Sequence, residues 1–368
     1  MVIGRSDKLR SIQAMSSKRS GGEWFHERRT LVSGLSAGVA GLAASGGLGS
    51  GLGSGLGSGL VGGLGLFGPS SPFAPSSLAA QEQIEIPAPE SVTLDTTKDG
   101  VVVKGTYYGG TNKDETVPVL MVHDFGKHNR GEFHRLALGL QKAAGHAVLS
   151  IDLRGHGEST LRKKMDGTEE TLTPDKLKPA DFLAMIAGDL EVAKRYLMSK
   201  HHAKELNIDR LVVIGAGPMG SVLALNWTFQ DWNWKQTPFL RQGQDVKALV
   251  LLSPASGFKS LKTAPSFAHP YITSGLSVLL VAGRGESEYK QLYNRFSGKG
   301  RYKPDDDKPE ERAKRQDLFM YPIETELRGA GLLSPELPVN NYILQFIKLR
   351  IVQRGDDFPW KSRERKIS

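Results

Sequence analysis

The stretch Leu211–Leu225, LVVIGAGPMGSVLAL, has the spacing of a catalytic turn without its catalytic side chain. Leu211, Val212, Val213 and Ile214 form a continuous apolar run of the kind that makes a buried parallel strand. The small-residue turn Gly215-Ala216-Gly217-Pro218-Met219-Gly220 then leads into an apolar helix expected to begin near Met219. Strand, tight turn and helix are the setting of a nucleophile elbow, in which G-x-S-x-G lifts a serine above the sheet. Counting from the strand puts Gly217 in the nucleophile place, and counting back from the helix puts Pro218 there. Neither can attack an acyl carbon. The same residues fit G-x-G-x-x-G through Gly215, Gly217 and Gly220, but the strand that follows ends in Leu252-Ser253-Pro254 and lacks the acidic residue of a dinucleotide site. No cofactor is implied, and there is no P-loop.

The elements that must position this turn alternate. Ser91–Asp95 and Val101–Tyr108 are strand-like and joined by Lys98-Asp99-Gly100, the signature of a leading antiparallel hairpin. Further strands are expected at Val117–Val122, His146–Ile151, Val246–Leu252, Leu276–Ala282 and Leu318–Ile323. Helices are expected at Glu132–Ala143, Pro179–Met198, Glu286–Phe296 and Val339–Ile351. In the second of these, Phe182, Ile186, Leu190, Ala193 and Leu197 recur at helical spacing and should face the sheet, while Asp181 suits the positive end of the dipole. Ser297–Arg315, rich in both charges, reads as a solvated loop, and Trp227, Trp232, Trp234 and Phe229 as core or as a lid. Repeated βα units predict an α/β fold, a mostly parallel sheet with helices on both faces and ligands at the carboxyl ends of its strands.

Three motifs then fall into order: His123-Asp124-Phe125-Gly126 after one strand, Asp152-Leu153-Arg154-Gly155-His156-Gly157-Glu158-Ser159 after the next, and the elbow-like turn after the following one. From Ser91 to Val352 the chain resembles the α/β-hydrolase superfamily in its esterase, lipase and peptidase branch. The resemblance implies a nucleophile, then an acid, then a histidine, with backbone amides for the oxyanion. It places the acid at Glu286 in Gly283-Arg284-Gly285-Glu286, where an ordinary first-turn glutamate is the plainer reading, and puts Arg328 of Leu327-Arg328-Gly329 where the histidine belongs. The nine histidines end at His269, so none follows the last strands, and arginine cannot serve as a general base. An Arg328–Glu286 ion pair is expected in place of the proton relay. Phe125 and Met219 are the expected oxyanion donors, and His123, Asp124, Phe125, Gly217, Pro218, Met219, Glu286 and Arg328 the expected pocket. His156 and Ser159 are expected to be structural, and Ser221 and Ser253 to cap or pack; a displaced nucleophile at either is the alternative.

Composition bounds the rest. The 368 residues contain no cysteine, which removes disulfides and thiolate metal sites, and His201-His202 has no further ligands in view. Of the net charge of +9, a large share sits in the first 30 residues, so nucleic acid is not an expected partner. Residues 1–80 read as an export leader: the Arg28-Arg29 pair, an uncharged segment from Leu31 to Ala80 with three Gly-Leu-Gly-Ser copies, and a Pro/Ser linker ending in Ser77-Leu78-Ala79. Residues 81–368 form one domain in this reading. The expected product is an exported protein of the periplasm or cell envelope, tethered to the membrane through residues 31–68 if uncleaved. It has lost its hydrolytic machinery and binds a small molecule, a glycan or a protein. An active ester hydrolase with an unusual nucleophile and a structural envelope component are the alternatives.

Overall fold

The structure, a computed structural model, describes residues 85–236, 241–298, 300–303 and 308–363. The expectations for the leader lie outside these residues. Among the described residues no helix is long and apolar enough to cross a membrane.

Among the described residues twelve strands form in chain order: β1 Glu90–Thr96, β2 Val102–Tyr108, β3 Pro118–Val122, β4 Ala147–Asp152, β5 Leu161–Lys163, β6 Glu169–Thr171, β7 Leu211–Ala216, β8 Val246–Leu252, β9 Gly257–Phe258, β10 Leu261–Lys262, β11 Ser277–Ala282 and β12 Leu318–Pro322. Eight of them make one sheet in the order β1-β2-β4-β3-β7-β8-β11-β12. β1 and β2 pair antiparallel with each other, as the hairpin signal predicts, and β2 pairs antiparallel with β4. From β4 to β12 every pairing is parallel. The ribbons β5–β6 and β9–β10 stand apart from this sheet.

The central strands read as unbroken apolar runs because helices cover both faces. In β3, Leu120 and Val122 join one core while Val119 and Met121 join the other; β7 divides the same way, Leu211 and Val213 against Val212 and Ile214. The helices Pro179–His202 and Gly217–Asn233 close the first face, and His134–Ala144 and Val339–Ile347 the second. All five positions predicted to face the sheet, Phe182, Ile186, Leu190, Ala193 and Leu197, are buried in the first core.

Several expected boundaries move. The helix Pro179–His202 contains a π turn at Met185–Asp189, and a second π turn, Lys348–Val352, ends the helix that starts at Val339. Ser297–Arg315 is not all loop, since Pro309–Arg315 is helical with its glutamates at the start and its basic residues at the end. The helix after β11 begins at Glu288, which leaves Glu286 in the preceding turn and removes its first-turn reading. The helix after β7 begins at Gly217, two residues before Met219. Trp227 is fully buried and donates to Glu191 at 2.8 Å, Trp232 donates to the Val246 carbonyl at 2.8 Å, and Trp234 is exposed.

Candidate functional site

Strand order fixes where a site can form. The chain adds β4 on one side of β3, then crosses to add β7, β8, β11 and β12 on the other. The loops after β3 and β7 therefore diverge to opposite faces and leave a crevice at the carboxyl ends of these strands. His123-Asp124-Phe125-Gly126 and Gly217-Pro218-Met219 line it.

Gly217 is the apex of the turn. It follows β7 directly with φ of +69°, a region that side chains other than glycine rarely adopt. The next residue is Pro218, exposed and without an amide hydrogen, so the nearest oxyanion donor of an elbow is missing here. The space where a side chain at 217 would project is already filled. A Cβ built on Gly217 would lie 2.1 Å from Asp124 Oδ2 and 2.2 Å from its Cγ. The Met219 amide, one residue beyond the proline, donates to Asp124 Oδ1 at 2.8 Å. Burial raises the Asp124 carboxyl above the usual range, while the amides of Met219 and Phe125 pull it back down. One of the two expected oxyanion donors, Met219, is thus committed to a carboxylate of the chain itself. The glycine at 220 has a separate reason: a Cβ there would meet the Val122 carbonyl at 2.5 Å, so Gly220 lets the helix cross β3 closely. Close packing at an elbow accounts for the glycine string without a dinucleotide.

Two neutral histidines brace the crevice. His123 is fully buried, and desolvation, with His156 adding to it, lowers its pKa to about 3. An uncharged ring with Nδ1 2.6 Å from the Asp124 carbonyl must donate there, which leaves Nε2 to accept the Leu153 amide at 3.0 Å. His156 repeats the arrangement: burial lowers its pKa, Nδ1 faces the Arg154 carbonyl at 3.0 Å, and Nε2 accepts the Gly126 amide at 3.2 Å. Each ring ties the loop after β3 to the loop after β4, and each has both nitrogens engaged. Asp152 shapes the same loop by accepting the amides of Arg130 and Glu158 and pairing with the Arg130 guanidinium. Ser159 is buried and its hydroxyl accepts the Lys104 amide at 2.8 Å.

The other expected residues gather at the same end of the sheet. Gly329 packs on Gly217, with a Cβ there 3.5 Å from the Gly217 Cα, so the position after the histidine place does adjoin the elbow. Arg328 turns outward and its Nε lies 3.6 Å from Glu286 Oε1. The predicted pair forms, half at the surface: the Arg328 side chain is 62% exposed and that of Glu286 12%. Glu286 also accepts the Gly283 amide at 3.3 Å. Ser221 is buried, donating to the Pro218 carbonyl at 3.2 Å and accepting the Ala255 amide at 3.3 Å. Ser253 has φ of +52°, and its hydroxyl accepts the Gly329 amide at 2.8 Å. No histidine ring is recorded in hydrogen-bond contact with either hydroxyl among the described residues. His201 is bound to backbone at both nitrogens, and no group of metal-ligating side chains occurs among the described residues.

Sequence reasoning listed Asp124 as a pocket residue but missed that its carboxylate fills the nucleophile space, since nothing in the order of residues shows which way a loop side chain turns. It also missed Arg130. A cleft of about 620 Å³ beside β4 is lined by Thr106, Tyr108, Arg130, His134, Asp152 and Glu158, and there the Arg130 guanidinium is spent on the two carboxylates.

A search among curated proteins finds no match to this chain. Among solved structures it is similar to an esterase of Pyrococcus furiosus, at 14% identity over 72% of this chain and 91% of that one, with a TM-score of 0.47. It is also similar to an esterase of Rhizomucor miehei, at 13% identity over 74% and 87% with a TM-score of 0.47. A thermostable carboxylesterase from a metagenomic library matches at 14% identity over 73% and 90%, TM-score 0.46. The model of the Alpha/beta hydrolase family matches residues 119–347. That span opens on β3, closes with the helix Val339–Ile347 and covers more than half of the sequence, so the chain belongs to the alpha/beta hydrolase family.

Proposed function

We propose that this chain is a non-catalytic member of its family which binds a ligand at the carboxyl end of its sheet. One observation carries the reading: the Asp124 carboxylate lies where the nucleophile's side chain would project and holds the Met219 amide. A carbonyl substrate entering this crevice would meet no nucleophile at the elbow, and would find the Met219 amide already engaged. The absence of any histidine beyond His269 and the use of Arg328 and Glu286 as an ion pair support the same reading. In a serine protease built on the same triad logic, loss of the nucleophile or the histidine alone costs on the order of a millionfold in turnover. The ligand is a small molecule, a glycan or a segment of another protein. The Arg28-Arg29 pair and the uncharged segment behind it support export to the periplasm or cell envelope.

A second reading, an active ester hydrolase, draws on Ser253. A non-glycine residue at φ of +52° at the end of a central strand is the kind of strain that active sites store. Incubating the purified full chain with a fluorophosphonate probe, followed by mass-spectrometric mapping, separates the two. No adduct is expected while an active esterase labels beside it. A heat-sensitive adduct on Ser253 or Ser221 would establish a relocated nucleophile and end the binding-only reading.

A further inference from the structure

Beside the elbow stands an aromatic cluster that the hydrolase comparison does not use. Phe125 comes from the loop after β3, Phe182 from the first turn of the helix Pro179–His202, and Phe258 from β9. Their ring centroids are 6.1 Å apart for Phe125–Phe182, 5.4 Å for Phe125–Phe258 and 5.7 Å for Phe182–Phe258, and no two rings are parallel. The three rings thus pack against one another at ordinary aromatic contact distances, with the His156 ring edge-on to Phe125 at 5.5 Å. Phe182 is buried while Phe125 and Phe258 are half-buried, so one side of the cluster reaches the surface.

On that side a cation rests over the rings. Lys259 Nζ lies 3.9 Å from the Phe125 centroid, 4.9 Å from that of Phe182 and 5.7 Å from that of Phe258. Among the described residues Lys259 has no carboxylate partner; its ammonium rests on ring faces alone. It occupies the two-residue turn between β9 and β10 with φ of +48°, a conformation that glycine or asparagine adopts at less cost. The backbone at this tip is thus held in an unfavourable region while its side chain lies in the cluster.

We infer that the Phe125–Phe182–Phe258 cluster is a receptor for the alkylammonium or quaternary ammonium group of a small ligand, with Lys259 as its internal guest. Aromatic faces attract a cation through their quadrupole, most strongly where water is partly excluded, and they suit an ammonium flanked by alkyl groups. Lys259 sits on an exposed hairpin tip and can return to water when a better guest arrives, so the lysine acts as a displaceable plug. The inference deepens the binding reading above, on which it rests, by naming the chemistry of the guest.

Calorimetric titration of the full chain with choline tests it. Lys259→Gly empties the cage and suits the positive φ, so it leaves the fold intact; circular dichroism checks this for every variant. Lys259→Gly is expected to bind choline at least about tenfold more tightly than the parent, whereas Lys259→Arg, which refills the cage, is not. Adding Phe125→Leu to Lys259→Gly, which keeps an apolar side chain but removes the ring face, is expected to weaken choline binding at least about tenfold. The neutral isostere 3,3-dimethylbutan-1-ol should bind Lys259→Gly correspondingly worse. Co-sedimentation with phosphatidylcholine vesicles distinguishes a lipid headgroup from a soluble ammonium, and binding to either sustains the cage. No saturable binding of choline by Lys259→Gly at tens of millimolar, or equal binding of the isostere, would overturn the inference. A fluorophosphonate adduct would remove the non-catalytic reading and leave a positive choline result standing, so the two failures are distinguishable.

Discussion

At the scale of single residues, Gly217 and Asp124 exclude any larger side chain at position 217. With the Gly217 Cβ position 2.1 Å from Asp124 Oδ2, a serine there overlaps a half-buried carboxylate instead of recovering a nucleophile. Gly217→Ser should destabilise the protein by about 1–3 kcal/mol, the usual range for overpacking. Gly217→Ser combined with Asp124→Gly should recover the part of that loss due to overlap while the strain of the positive φ remains, and urea melts of the parent, both singles and the double variant give the coupling directly. Additive losses would mean that the two positions do not compete for space. The same pair explains why the site was only partly legible in the residue order. A missing serine and a missing histidine can be read by counting, but a carboxylate turning back into the vacated space cannot.

At the scale of elements, the long helix Pro179–His202 is tied to the loop after β4 by a fully buried ion pair. Arg154 Nη2 lies 2.6 Å from Asp189 Oδ1, and the Arg154 amide donates to Oδ2 of the same carboxylate at 2.9 Å. Asp189 ends the π turn, where the extra residue per turn re-aims its carboxylate, and Arg154 reaches on to Asp99 in the β1–β2 hairpin turn at 2.6 Å. Three segments far apart in sequence thus meet on one guanidinium. Breaking such a pair leaves a buried charge uncompensated. Asp189→Ala should therefore cost about 3–5 kcal/mol in chemical denaturation, and Arg154→Met with Asp189→Leu should recover much of it. A loss below about 1 kcal/mol for Asp189→Ala, the value of a surface pair, would contradict this role. The apolar spacing of this helix was legible because its five core positions follow the helical repeat. Its π turn was not, because the apolar repeat runs through it without a break and its buried partner lies on another element.

At the scale of the whole molecule, burial of uncharged histidines links stability to pH. Desolvation lowers His123 to about 3 and His146 to about 4, against about 6.5 in the unfolded chain. Between those values the unfolded state binds protons that the folded state does not, so stability rises with pH and is lost as pH falls below about 6.5. Each such group contributes about 1.4 kcal/mol per pH unit across its window. Asp124 and Asp189, raised by burial, act in the opposite sense, so the histidine share is best read from a variant. His146 is buried and its Nδ1 has no hydrogen-bond partner, which makes His146→Phe a mild change at pH 7. The variant's stability relative to the parent should grow steadily from pH 6.5 down to about 4 in paired thermal melts. A difference that stays flat with pH would show that His146 is protonated in the folded state.

The sequence alone determined the alternation of strand and helix, the leading hairpin and the two-faced core, because buried parallel strands must be apolar throughout and covering helices must repeat every three or four residues. It also determined that no histidine follows His269, so none stands after the last strands of the sheet. Tertiary structure alone decided that Gly217 is the apex, that Asp124 fills the space above it, and that Phe125, Phe182, Phe258 and Lys259 meet. Local propensity follows from neighbours along the chain. Filling a crevice depends on which loops the sheet order brings together, and that contact spans up to 95 residues between Asp124 and Met219.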